Sequence, residues 1–222
     1  RFTYEHCAWL ANRHGIPMRA PRQHPFNPLP LLRAAIAAGC GRDAIGRLFR
    51  FVWRDGSLPG EPAYIEAETL GRLLGQAGCT VLNGGYIGTM EAVSKGAAQS
   101  GGQVIGVTCV DIESWRKVSP NAHVTQELRC TTLAERLTVL VRDCDAAIAL
   151  PGGIGTLAEI LYMWNLLVIR AIPPKPLVLV GSGWQAVIEA FQAEMPGYTP
   201  AAQQAFVQVA ADVEEAASLA LR

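Results

Sequence analysis

Ala146-Ala147-Ile148-Ala149-Leu150-Pro151-Gly152-Gly153-Ile154-Gly155-Thr156-Leu157-Ala158-Glu159 is the stretch whose reading decides the fold. Its first five residues form a continuous apolar run of strand length, the pattern of a strand buried on both faces. Turn-forming residues interrupt it from Pro151 to Gly155, and Thr156 to Ile169 then reads as an apolar helix. A buried strand that turns through glycines straight into a helix belongs to a parallel sheet covered by helices, whose ligands bind beyond the carboxyl ends of the strands. Phosphate suits such a turn. Glycines let the backbone approach an anion with no Cβ in the way, and the helix N-terminus supplies unpaired N–H groups with partial positive charge. Pro151, Gly152, Gly153, Gly155 and Thr156 are therefore candidate phosphate-binding residues. Glu159 has two readings of equal standing: a carboxylate facing a ligand, or the second half of a capping box begun by Thr156 three residues earlier.

Upstream, Ala63 to Ala77 has apolar residues near helical spacing at Ile65, Leu70, Leu73 and Leu74, with Gly78 at the C-terminal cap position. Thr80 to Leu82 reads as a strand, Met90 to Gln99 as a helix and Gln103 to Thr108 as a second strand. The turn Asn83-Gly84-Gly85-Tyr86-Ile87-Gly88 again lies between strand and helix. Two glycine turns on one sheet suggest one ligand between them, so Gly84, Gly85 and Gly88 join the candidate nucleotide-binding residues. Asp111 to Pro120 reads as a loop and His123 to Leu128 as a weak strand. Thr132 and Glu135 have capping-box spacing at the start of a helix ending near Asp143. Pro176 to Val180 reads as a buried strand, Ser182 to Met195 as a helix opened by a capping box at Ser182 and Gln185, and Val213 to Leu221 as a closing helix. The expected fold class is α/β, a Rossmann-like parallel sheet with helices on both faces, spanning 61–222. The first sixty residues differ: prolines stand at 17, 21, 25, 28 and 30, helices are expected at Leu31 to Ala38 and Ala44 to Trp53, and Asp55 to Gly60 has the composition of a junction.

Composition narrows the function. With 222 residues, half of them hydrophobic, the chain can bury a sizeable core, and 19 basic against 19 acidic residues give no electrostatic grip on nucleic acid or an anionic membrane. No apolar run reaches the roughly 18–20 residues of a membrane helix, and no signal-peptide core is present, so a cytoplasmic protein with a small-molecule partner is expected. The cysteines at 7, 40, 79, 109, 130 and 144 form no Cys-x-x-Cys pair or Cys/His cluster, which argues against a metal site and a thiol redox centre. Neither glycine turn matches Gly-x-Gly-x-x-Gly, and the P-loop Lys-Ser/Thr is missing, so hydride transfer and nucleoside-triphosphate hydrolysis are poorly supported.

From about Glu61 to the C-terminus the chain resembles the Lonely guy family, often labelled lysine decarboxylase. The resemblance rests on Pro151 to Glu159, which fits Pro-Gly-Gly-x-Gly-Thr-x-x-Glu, on Arg136 fifteen residues before Pro151, and on Asn83 to Ala92 followed by Gly101 to Val107. It implies a phosphoribohydrolase without a cofactor, which cleaves the N-glycosidic bond of a nucleoside 5′-monophosphate to release base and ribose 5-phosphate, and which forms a homodimer. It also implies that Gly152 to Thr156 hold the 5′-phosphate, and that Glu159 and Arg136 are the catalytic residues. Glu159 would hold a ribose hydroxyl or the attacking water and stabilise positive charge at the anomeric carbon, with Arg136 stabilising the departing base or fixing the substrate. A carboxylate suits an oxocarbenium-like transition state. From spacing alone Arg136 would read as a surface salt bridge contributing ~0–1 kcal/mol. A purine-nucleotide-binding module without chemistry is the alternative. Two departures stand out: Leu137 follows Arg136 where the family has lysine, and nothing before Glu61 supplies the family's opening strand and Gly-Ser-Ser loop. Residues 1–57 instead resemble a fragment of 2-hydroxychromene-2-carboxylate isomerases, through Ala11 to Pro17, Pro25 to Arg33 and Phe49 to Gly56, with Asn27 as a relic of their substrate site. The catalytic serine of that family has no counterpart, and a fusion near Gly56 to Gly60 is the simplest account.

Overall fold

The computed structural model describes residues 2–19, 28–54, 61–198 and 200–222. Asn27 and the junction from Asp55 to Gly60 lie outside the described residues. The chain divides into two compact units, Arg1–Pro62 and Ala63–Arg222. The first contains helices α1 (Phe2–Arg13), α2 (Leu29–Ala37) and α3 (Arg42–Trp53). Ala11, Ala44 and Val52 are its buried apolar residues among those described, and the Arg19 N–H donates to the Trp53 carbonyl at 2.6 Å. Helix α1 was not anticipated from the sequence.

The second unit alternates strands and helices: α4 (Glu61–Gln76), β1 (Val81–Asn83), α5 (Thr89–Gln99), β2 (Val104–Cys109), α6 (Val110–Trp115), β3 (Gln126–Cys130), α7 (Leu133–Arg142), β4 (Ala147–Ala149), α8 (Ile154–Val168), β5 (Leu177–Val180), α9 (Ser182–Glu194), α10 (Ala201–Gln204), β6 (Val207–Ala210) and α11 (Val213–Ala220). Among the described residues all four strand pairings are parallel. The α/β class is as expected, but the single sheet is in fact two, ordered β1-β2-β3 and β4-β5-β6. Among the described residues β1 pairs with β2 alone and β4 with β5 alone, and no strand hydrogen-bonds between them. Continuity comes from side chains, because Leu74 and Leu150 pack against the cores of both sheets.

Strand β5 accounts for the layering. Its four residues are all buried, and they alternate as a strand must: Leu177 and Leu179 face a core with α8 and α9, Val178 and Val180 a core with α4 and α11. Each such side chain contributes about 1.5–3 kcal/mol on leaving water. Helix α8 sends Met163, Trp164, Leu166 and Leu167 into this core.

Local departures from the sequence reading have local causes. Helix α6 replaces part of the expected loop at 111–120; it has six residues, too few for a periodic signal, and Asp111 and Glu113 in its first turn complement its dipole. Strand β6 was not anticipated and is ordered by pairing with β5. The capping box at Thr132 and Glu135 forms with both reciprocal bonds. The box expected at Ser182 and Gln185 does not: α9 begins at Ser182 itself, and Gly181 (φ 94°) holds the N-cap without a side-chain bond. No described helix is long and apolar enough to cross a membrane.

Helices α4 and α5 cross at paired glycines. A Cβ on Gly71 would overlap the Val93 carbonyl, and one on Gly96 would overlap the Glu68 carbonyl. Backbone cannot yield as a flexible side chain can, so Gly96→Ala is expected to destabilise the second unit by about 1–3 kcal/mol, read as a lowered urea midpoint with an unchanged slope.

Candidate active site

Helix α8 begins at Ile154, two residues before the expected start, with Gly153 as its N-cap and no side-chain cap bond. Thr156 is therefore already inside the first turn, and the capping-box reading of Thr156 and Glu159 fails. One turn into the helix the Glu159 carboxylate is free for another partner. That partner is Arg136 of α7, whose Nη1 lies 3.4 Å from Glu159 Oε1. Arg136 is not the surface residue that spacing alone suggested: it is 6% exposed, and its Nε donates to the Val107 carbonyl of β2 at 2.8 Å. A cation on one sheet's helix and an anion on the other's thus meet where the two sheets adjoin. Burial raises the Glu159 carboxyl above the ordinary range, and the charge and hydrogen bond of Arg136 act against that rise. The side chain keeps about a third of its exposure (32%), so it is open to a ligand.

The loop before α8 is open as well. Pro151, Gly152, Gly153, Ile154 and Gly155 are exposed, and the first-turn N–H groups of α8 have no side-chain cap. A Cβ on Gly152 would collide with the Thr156 side chain, which explains that glycine sterically, whereas at Gly153 and Gly155 it would meet nothing within 4 Å. Free space over an exposed helix N-terminus is where an anion can approach.

The second glycine turn is built differently. Gly84, Gly85 and Tyr86 are buried, and only Ile87 and Gly88 are exposed. The Gly85 N–H already donates to Asn83 Oδ1 at 2.7 Å, and Gly85 is left-handed (φ 74°) with its Cα against β2. Gly88 (φ 79°) is the N-cap of α5. Arg136 lies against this turn too, with its guanidinium carbon 6.0 Å from the Tyr86 ring centre. The structure therefore brings Arg136, Glu159 and both turns to one crevice. A cavity of about 770 Å³ between α9 and β6, lined in part by Gly181, Gln185 and Glu215, shares no residue with it.

Sequence reasoning missed Tyr86 and Asn121. Tyr86 sat unnoticed inside a quoted motif, and Asn121, which donates to the Gly85 and Tyr86 carbonyls at 3.0 and 2.9 Å, lies in a segment with no pattern to mark it. Among the described residues no group of three His, Cys, Asp or Glu could hold a metal ion.

A family model described as "Possible lysine decarboxylase" matches residues 90–219, more than half of the chain. A rice protein (Oryza sativa subsp. japonica) described as "Probable cytokinin riboside 5'-monophosphate phosphoribohydrolase LOGL5" is 36% identical over 137 residues, 56% of this chain and 51% of its own. The pyrimidine/purine nucleotide 5'-monophosphate nucleosidase of Escherichia coli K12 is 32% identical over 130 residues, 54% of this chain and 28% of its own. This chain thus spans about half the length of the rice relative and less of the bacterial one. In fold it is similar to the molybdenum cofactor binding protein of Rippkaea orientalis, with a TM-score of 0.56, 24% identity and coverage of 70% of this chain and 84% of that one. The isomerase resemblance of residues 1–57 gains no support from these matches.

The Arg136–Glu159 pair makes a prediction about titration. Arg136→Leu removes the charge and hydrogen bond that lower the Glu159 pKa and leaves the burial that raises it, so Glu159 should protonate at higher pH than in the unaltered chain. Carboxyl ¹³C NMR titration measures this directly, and an unmoved midpoint would mean that the two groups are uncoupled.

Proposed function

The chain belongs to the Lonely guy family, and on that premise we propose that it is a nucleoside 5′-monophosphate phosphoribohydrolase. The observation that carries the proposal is the Glu159–Arg136 pair standing one helical turn beyond an open glycine loop at a helix N-terminus. A 5′-phosphate on the Pro151 to Thr156 loop is stabilised by the first N–H groups of α8 and by the helix dipole. Glu159 lies three residues beyond Thr156, a rise of about 4.5 Å along the axis, which suits a ribose ring attached to that phosphate.

The reaction adds water across one bond. The C1′–N bond breaks with its electron pair going to the base, a water oxygen bonds to C1′, and one water proton ends on the base nitrogen, giving free base and ribose 5-phosphate. Positive charge builds on C1′ and the ring oxygen as the base departs, and the Glu159 carboxylate stabilises it and orients the water. Arg136 favours the ionised form of Glu159 and presents a cation to the charge developing on the base. Because ionised Glu159 is required, activity falls as pH drops through its raised pKa.

Adenosine and cytidine 5′-monophosphates are suitable purine and pyrimidine probes, since the named relatives include a cytokinin riboside 5'-monophosphate enzyme and a pyrimidine/purine nucleotide nucleosidase. Release of base and ribose 5-phosphate is expected, with Glu159→Gln and Arg136→Ala each lowering kcat by about 10²-fold or more. No release from either probe by the folded, unaltered chain would overturn the proposal, and saturable binding without release would make the site a nucleotide-binding module.

The proposal includes a homodimer. Leu161 (44% exposed) on α8 and Ile169 (61%), its C-cap residue, stand outside the core that Ile160, Met163, Trp164 and Leu167 fill. Leu161→Glu should shift the sedimentation coefficient from dimer to monomer, and a monomeric unaltered chain would remove this part of the proposal.

A further inference from the structure

We propose that the Asn83–Gly88 turn is the seat of the Arg136 guanidinium rather than a second phosphate loop, with Gly84 and Tyr86 as positioning residues. The inference deepens the phosphoribohydrolase reading and rests on its assignment of Arg136. Gly84 and Gly85 are buried, and the one N–H that Gly85 could offer an anion is taken by Asn83 Oδ1. A phosphate loop needs exposed, unpartnered N–H groups, as at Gly153 to Gly155; the first half of this turn has none.

What fills the space over Gly84 is the arginine. A Cβ there would overlap Arg136 Nη2 and stand 2.6 Å from Met90 Sδ. Any side chain would therefore push the guanidinium from its place between Val107 O and Glu159 Oε1. Tyr86 closes the next side. Its ring lies 6.0 Å from the guanidinium carbon, near the outer limit of a cation–π contact. The ring is held by its hydroxyl, which accepts from the Cys109 N–H at 2.8 Å and lies 3.3 Å from Glu113 Oε1.

The turn itself is tied down. Asn121 donates to the Gly85 and Tyr86 carbonyls, and the Asn83 amide donates to Ser94 Oγ at 3.0 Å. Fixed hydrogen bonds and absent Cβ atoms are what a buried cation needs if it is to face one carboxylate in a single geometry.

The test compares Gly84→Ala, Tyr86→Leu and Tyr86→Phe, each checked for folding by circular dichroism. It reads the Glu159 carboxyl midpoint by ¹³C NMR and the affinity for ribose 5-phosphate by calorimetry, neither of which needs turnover. Displacing the arginine weakens its hold on Glu159, so the midpoint should rise in Gly84→Ala and Tyr86→Leu, rise less in Tyr86→Phe, which keeps the ring but loses the hydroxyl bonds that hold it, and leave ribose 5-phosphate affinity within about twofold. If Tyr86→Leu does not fold, Gly84→Ala decides alone. An unmoved Glu159 midpoint with affinity lowered tenfold or more in Gly84→Ala would overturn the proposal and restore the turn as a phosphate loop. Should the unaltered chain bind no ribose 5-phosphate, the phosphoribohydrolase reading fails while the carboxyl titration still decides the arginine seat.

Discussion

A buried guanidinium needs partners on every side, and Arg136 finds them on elements from both sheets. Val107 of β2 accepts from Nε, Glu159 of α8 faces Nη1, Tyr86 lies beside the plane and Gly84 leaves room for Nη2. Leaving such a charge unpaired in the interior would cost several kcal/mol. The surrounding elements are therefore constrained to converge at one point, and that point is the crevice where the open glycine loop ends.

Two glycine-rich turns of similar sequence position are physically unlike. In the Pro151 to Gly155 loop the backbone is exposed and its helix N-terminus is uncapped by any side chain, which leaves N–H groups for an anion. In the Asn83 to Gly88 turn Gly84 and Gly85 are buried and are required by neighbours: β2 against Gly85 and the arginine against Gly84. Glycine permits close approach, but only burial and hydrogen-bond bookkeeping reveal whether the approaching group is a ligand or another part of the protein.

The division into two three-stranded sheets matters for the same crevice. Strands β1 and β4 each keep one edge without a strand partner among the described residues, and Leu74 and Leu150 join the two cores by packing rather than by a ladder. The Arg136–Glu159 pair is a polar link across that junction, since α7 packs on β2 and β3 while α8 packs on β5.

The sequence by itself determined the parallel α/β class, the order of its elements from α4 onward except α6, α10 and β6, and the Pro151 to Thr156 loop. Those features follow from short-range patterns: apolar runs, glycine punctuation and the Thr132–Glu135 capping box, all of which act within a few residues. It also marked Glu159 as a ligand-facing carboxylate or a capping residue with equal standing, and Arg136 only through a resemblance, because nothing local distinguishes a buried arginine at position 136 from an exposed one. Tertiary structure alone decided that Glu159 faces Arg136 instead of capping its own helix, that Gly84 and Tyr86 surround the guanidinium, and that β6 pairs with β5. Each of these depends on contacts between residues at least 20 positions apart, whose energetics arise only when the chain has folded and water has been excluded from between them.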